Sequence, residues 1–166
     1  MIELEQISKT FADAGREVHA VNKAASANAA MKQFSVEVAQ FAKKDVTVKI
    51  TTSIPESGWS YNESKKTLVD NADPDAFGAG GMRFEVRGAV EDFDFYKKDF
   101  ENYQQIEDRV IGGITFSSRT YKYIGYEWIE YVAQIDSTRA LSIGLQNMDC
   151  APGMMSDIIL NNMQFK

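Results

Sequence analysis

Residues 114–146 read ITFSSRTYKYIGYEWIEYVAQIDSTRALSIGLQ. Side chains of like character recur here every second residue, the period of a strand with one covered face. Three antiparallel strands are predicted, over residues 114–123, 127–135 and 140–146. Gly125 and the Asp136-Ser137-Thr138 segment supply the turns between them. Ile129, Tyr131, Ala133 and Ile135 fall on one face of the second strand, and Leu141, Ile143 and Leu145 on one face of the third.

Upstream, Met82, Phe84 and Val86 alternate with Arg83, Glu85 and Arg87, which predicts another strand. Val46, Val48, Ile50, Thr52 and Ile54 do the same, and Pro55-Glu56-Ser57-Gly58 then turns the chain so that Trp59 folds back onto the core. A short strand is expected at residues 67–69, and the glycine- and aspartate-rich residues 70–81 read as a loop.

Two segments carry helical spacing instead. Ala20, Ala24, Ala27, Met31, Phe34, Val38 and Phe41 recur at steps of four and three, which predicts an amphipathic helix with Lys43 and Lys44 in its last turn. That stripe would lie on the sheet or form the seam of a homodimer. Phe93, Tyr96, Phe100 and Tyr103 predict a second helix over residues 91–105, and residues 154–162 a short terminal one. The expectation is an α+β fold: an antiparallel sheet packed by an N-terminal amphipathic helix and one or two further helices. Residues 1–44 form the leading segment and helix, and residues 45–166 the sheet domain.

Composition narrows the function classes. The 166 residues have a net charge of −6, which disfavours broad nucleic-acid binding because that needs a basic face. No run of apolar residues is long enough to span a bilayer. Met1 leads into Glu3 and Glu5 and not into a signal peptide. A cytoplasmic protein is therefore expected, or an extracellular or cell-envelope one had a signal segment been removed. The single cysteine, Cys150, excludes an internal disulfide.

Two resemblances follow from particular residues. The "IPESGW" of residues 54–59 and the long hairpin of residues 119–145 with its terminal helix resemble the PsbP-like fold of bacterial lipoproteins and accessory proteins. That resemblance implies a binding or accessory module. Residues 1–24 resemble the first strands of ABC-transporter ATPases through Ile2, Leu4, Ile7, Ser8, Lys9 and Phe11, then Val18 to Asn22. It implies that Phe11 matches the adenine-stacking position. No G-x-x-x-x-G-K-[ST] loop follows, so ATP hydrolysis by that family's mechanism is excluded.

Among other groups, Asp70, Asn71, Asp73 and Asp75 cluster as hard-cation ligands do, but Phe84 stands where an EF-hand needs its bidentate glutamate. His19 is the lone histidine, and Cys150 has no histidine partner. Glu127 and Glu130 could flank a glycosidic bond, though a solvated strand edge is the favoured reading. No catalytic residue, metal ligand or cofactor is assigned. The expected recognition surface is aromatic: Tyr121, Tyr123, Tyr126, Trp128 and Tyr131, around one hairpin turn. The sequence thus reads as a non-enzymatic binding or accessory module for a protein or small molecule. An ABC-transporter accessory component and a structural dimerisation module are the alternatives.

Overall fold

A computed structural model describes residues 29–71 and 80–166. Ten strands are assigned there: β1 (Met31–Ala39), β2 (Thr47–Pro55), β3 (Trp59–Asn62), β4 (Thr67–Asp70), β5 (Gly81–Arg87), β6 (Glu101–Ile111), β7 (Ile114–Tyr123), β8 (Tyr126–Gln134), β9 (Ala140–Gln146) and β10 (Gln164–Phe165). One α-helix, α1 (Met155–Asn161), and two 3-10 turns (Val90–Asp94 and Lys97–Asp99) complete the described residues.

The strands form two sheets. One has the order β1-β2-β10, and the other β3-β4-β5-β9-β8-β7-β6. The fold is therefore mostly β, and the expected α+β architecture is overturned. The amphipathic helix expected at residues 20–41 is absent over its described part. Met31 to Ala39 instead pair residue for residue with Pro55 to Thr47. Phe34, Val36 and Val38 also alternate with Ser35 and Glu37, so this short stretch satisfies both periods. A nine-residue partner and β-branched valines favour the strand over any intrinsic helical preference. Phe41, the last residue of the helical stripe, is 73% exposed.

The second expected helix fails as well. Asp92 turns its carboxylate back to accept from the Ala89 amide at 3.0 Å, a local bond that closes a tight turn. Phe93 then buries against Val132 and Ala140, and from Glu101 the chain is extended in β6.

The three strands of the hairpin region lie where their alternation places them, paired in continuous antiparallel register. β9 then joins β5, Phe84 opposite Ile143, which connects the hairpin region to the earlier strands. Both sheets feed a single core in which Ile50, Phe84, Phe116, Ile143 and Leu145 are at most 1% exposed. α1 contributes Ile159 and Leu160 to this core, and its Ile159 carbonyl accepts from the Thr52 hydroxyl at 2.6 Å. The seven-stranded sheet thus has one face covered by this core. Its other face carries the candidate site.

Candidate functional site

Alternation assigns the outer face residue by residue. Met82, Phe84 and Val86 of β5 point into the core, so Arg83, Glu85 and Arg87 point outward. On β9 the outward positions are Ala140, Ser142 and Gly144, and on β8 they are Trp128, Glu130 and Val132. On β7 they are Arg119, Tyr121 and Tyr123. The small side chains of β9 leave a depression between the larger ones of β5 and β8. The chain from Val90 to Phe100 borders it along one side and Gln40 to Ala42 along another, enclosing a trough of about 880 Å³. A second hollow of about 500 Å³ is lined by Thr120, Lys122, Glu127 and Ile129, which alternation places on the opposite face of the sheet.

The trough floor is an ionic network. Glu130, 7% exposed, accepts from Arg119 Nε at 2.7 Å and from the Tyr121 hydroxyl at 3.1 Å on one oxygen. Its other oxygen accepts from the Ser142 hydroxyl at 2.6 Å. The Arg119 guanidinium also donates to Asp94 and, at 3.1 Å, to the Phe93 carbonyl, which ties the first 3-10 turn to the sheet. Gln134 adds a second tie, accepting from the Val90 amide and donating to the Gly88 carbonyl. Burial works against the Arg119 charge, but the Glu130 and Asp94 carboxylates outweigh it and hold the guanidinium above its usual range. Burial, reinforced by the Glu130 charge, pushes the Tyr121 phenol well above its usual value, so it stays a proton donor.

Aromatic rings form the walls. Tyr121 stacks on Phe100 at a centroid distance of 3.8 Å and an interplanar angle of 3°. It lies nearly parallel to its cross-strand neighbour Trp128, 6.3 Å away. Tyr96 packs on Tyr123 at 5.7 Å and edge-on to Phe95 at 4.8 Å. At the mouth, Phe95 is 74% and Tyr96 50% exposed. The six-membered ring of Trp128 lies against Gly144, where a Cβ would stand 3.0 Å from Cζ3. A side chain at that position would press on the indole and require it to shift by a few tenths of an ångström. The Trp128 Nε1 donor is buried and has no hydrogen-bond partner among the described residues.

The five aromatic residues expected to form one surface are divided. Tyr121, Tyr123 and Trp128 line the trough. Tyr126 pairs with Tyr123 at the hairpin turn and is half-buried outside it. Tyr131 points to the inner face, 5% exposed, with the Arg109 guanidinium 5.7 Å from its ring centroid. Glu127 and Glu130 stand three apart on a strand and so face opposite sides of the sheet. Glu130 is no solvated edge residue but the buried centre of the trough floor. Arg119, Asp94 and Ser142 carried no signal in the sequence, because their roles depend on partners on separate elements.

The remaining candidates lie apart. Cys150, half-buried, accepts from Arg109 Nη1 at 3.3 Å, while Arg109 pairs with Asp157 at 2.6 Å. Asp70 is buried at the end of β4. Asp73, Asp75, His19, Phe11 and all of residues 1–24 fall outside the described residues. Among the described residues no group of three or more metal-ligating side chains converges. Nor is any helix among them long and apolar enough to cross a membrane.

No family model and no curated protein matches the sequence. Among solved structures the chain is similar to the crystal structure of LpqN involved in cell envelope biogenesis of Mycobacterium tuberculosis. The TM-score is 0.48 at 12% sequence identity, over 82% of this chain and 91% of that one. The ATPase resemblance of residues 1–24 and the PsbP-like resemblance gain no support from these comparisons.

Proposed function

We propose that this chain is a non-enzymatic binding module that takes its ligand in the trough on the outer face of the seven-stranded sheet. The observation that carries the reading is the combination of an aromatic-walled hollow with a floor of buried, mutually satisfied charges. A hollow of about 880 Å³ is within the range that encloses small ligands. A buried ion pair contributes little net stability, so its use here is to hold geometry. Glu130 has its acceptor sites engaged by Arg119, Tyr121 and Ser142. It is thus a strut for the walls and not a free acid or base, which favours binding over catalysis.

The test is a thermal-shift screen of metabolites, saccharides and short peptides on the full chain, beside a Phe95→Ala/Tyr96→Ala variant. Both rings are exposed, so the variant should fold as the parent does. A ligand at a hundred times its dissociation constant stabilises by about 2.7 kcal/mol, roughly 5–10 °C for a chain of this size. The expected result is a shift in the parent that shrinks in the variant. A shift of equal size in both, or none with any compound, sinks the proposal.

A further inference from the structure

We infer that the trough takes an organic polycation, a linear aliphatic polyamine, with its ammonium groups against Glu91, Asp92 and Asp94 and its methylene segments against Phe95 and Tyr96. The inference rests on the reading of the trough as a ligand site and names the ligand's charge and shape.

Charge comes first. Five carboxylates line the trough against two arginines, Arg83 and Arg87. Arg87 is paired with Glu85, and Arg119 of the floor with both Glu130 and Asp94. One carboxylate charge is therefore left in excess around Arg119, and Asp94 carries it to the exposed side of the floor. Glu91 and Asp92 beside it are exposed too, and of the lining cations only Arg83 remains to offset the three. Lys97, 3.8 Å from Asp94, lies outside the lining and reaches over the Tyr103 ring. This wall repels an anion and draws a cation, the more so on a chain of net charge −6. A hydrocarbon ligand would cover the carboxylates with nothing to satisfy them, which is costly.

The spread of the charges sets the ligand's shape. The lining carboxylates are distributed over the first 3-10 turn, β5 and β8. Among the described residues no three of them converge as metal ligands do, so a compact multivalent ion does not match them. A chain of ammonium groups separated by methylenes can follow a trough of about 880 Å³ and meet them in turn. The rings complete the match. Phe100 and Tyr121 already hold the Arg119 guanidinium at 5.7 and 5.9 Å from their centroids, so the site itself pairs cations with ring faces. Over Phe95, Tyr96 and Tyr123 no cation of the described residues lies. Phe95 and Tyr96 are exposed at the mouth, directly after Asp94 in the chain. A polyamine offers these faces ammonium groups and methylenes, and offers the acids only donors.

The experiment is isothermal titration calorimetry of the full chain with spermidine, magnesium chloride and tetramethylammonium chloride, each at the same ionic strength. Glu91→Gln/Asp92→Asn removes two charges yet keeps an amide oxygen to accept from the Ala89 amide. Phe95→Ala/Tyr96→Ala removes the rings. The expected result is saturable binding of spermidine, at least tenfold tighter than either of the other cations. Affinity should fall about tenfold in the charge variant and about fivefold in the ring variant. Should the ring double variant fail to fold, Phe95→Ala alone carries that comparison. Spermidine bound no more tightly than magnesium, or equally by the parent and the ring variant, marks a diffuse acidic surface and overturns the inference. Equal binding by the parent and the charge variant also overturns it, as does tighter binding of tetramethylammonium or no binding at all. If the thermal-shift screen then finds a neutral or anionic compound that needs Phe95 and Tyr96, the trough is still a ligand site and only the polyamine is wrong. If that screen is blank too, both readings fall together.

Discussion

The two faces of the seven-stranded sheet are built from the same strands, and their alternate residues do opposite things. On the inner face Phe84, Phe116, Ile143 and Leu145 are at most 1% exposed and belong to the common apolar core. On the outer face Arg119 and Glu130 are nearly as buried, at 7% each, yet they are charged and bonded to each other. The inner face stabilises through apolar area removed from water, a term that needs no particular partner. The outer face gains little from its burial and holds directional bonds in one arrangement. One surface accounts for the fold's stability, and the other spends some of it on a shaped polar hollow.

Four variants break or sharpen this contrast, and urea denaturation measures each. The largest effect belongs to the inner face. Phe84→Ala leaves a cavity where packing is complete and should cost about 3–5 kcal/mol. A loss under about 1 kcal/mol would mean that the core is not where the burial places it.

Next comes Arg119→Ala on the outer face, which strands Glu130 without its cation. The expected cost is about 3 kcal/mol, since Asp94 keeps access to water. Replacing Arg119 by Met and Glu130 by Leu together should cost less than Arg119→Ala alone. If the double replacement is instead the worse of the two, the pair is a net source of stability and the contrast between the faces fails.

The smallest effect is a gain. Ile124, 72% exposed, holds a φ of 49° in the two-residue turn with Gly125, a conformation that a β-branched residue adopts at a cost. Ile124→Asn should raise stability by about 0.5–1 kcal/mol, because asparagine suits that turn position. No gain would show that Ile124 recovers its strain through contacts made by its side chain.

Much of the sheet was legible because half-covered strands advertise themselves. Ile129, Tyr131 and Ala133 against Glu130 and Gln134 give the period of two directly, and β7, β8 and β9 followed from it. β1 was not legible as a strand, because Met31, Phe34, Val38 and Phe41 fit a helical stripe over a stretch too short to separate the periods. The site was half legible. Crowded aromatics around residues 121–131 marked the right hairpin, but pleating sends Tyr121 and Tyr131 to opposite faces. The aromatic spacing over residues 91–105 reads as one helix, whereas Val90–Asp94 is a 3-10 turn and β6 begins at Glu101, so the role of Asp94 as the tie between wall and floor was not legible.

The sequence by itself determined the local elements whose cause is local: the alternating strands, the turns at Gly58 and Gly125, and the terminal helix. It also determined the exclusion of a phosphate loop. Tertiary structure alone decided that β1 finds β2, that β5 finds β9, and that Arg119, Glu130, Ser142 and Asp94 meet under three aromatic rings. The physical reason is that a strand's hydrogen bonds and a buried charge's partner both come from elsewhere in the chain. No window of neighbouring residues contains them.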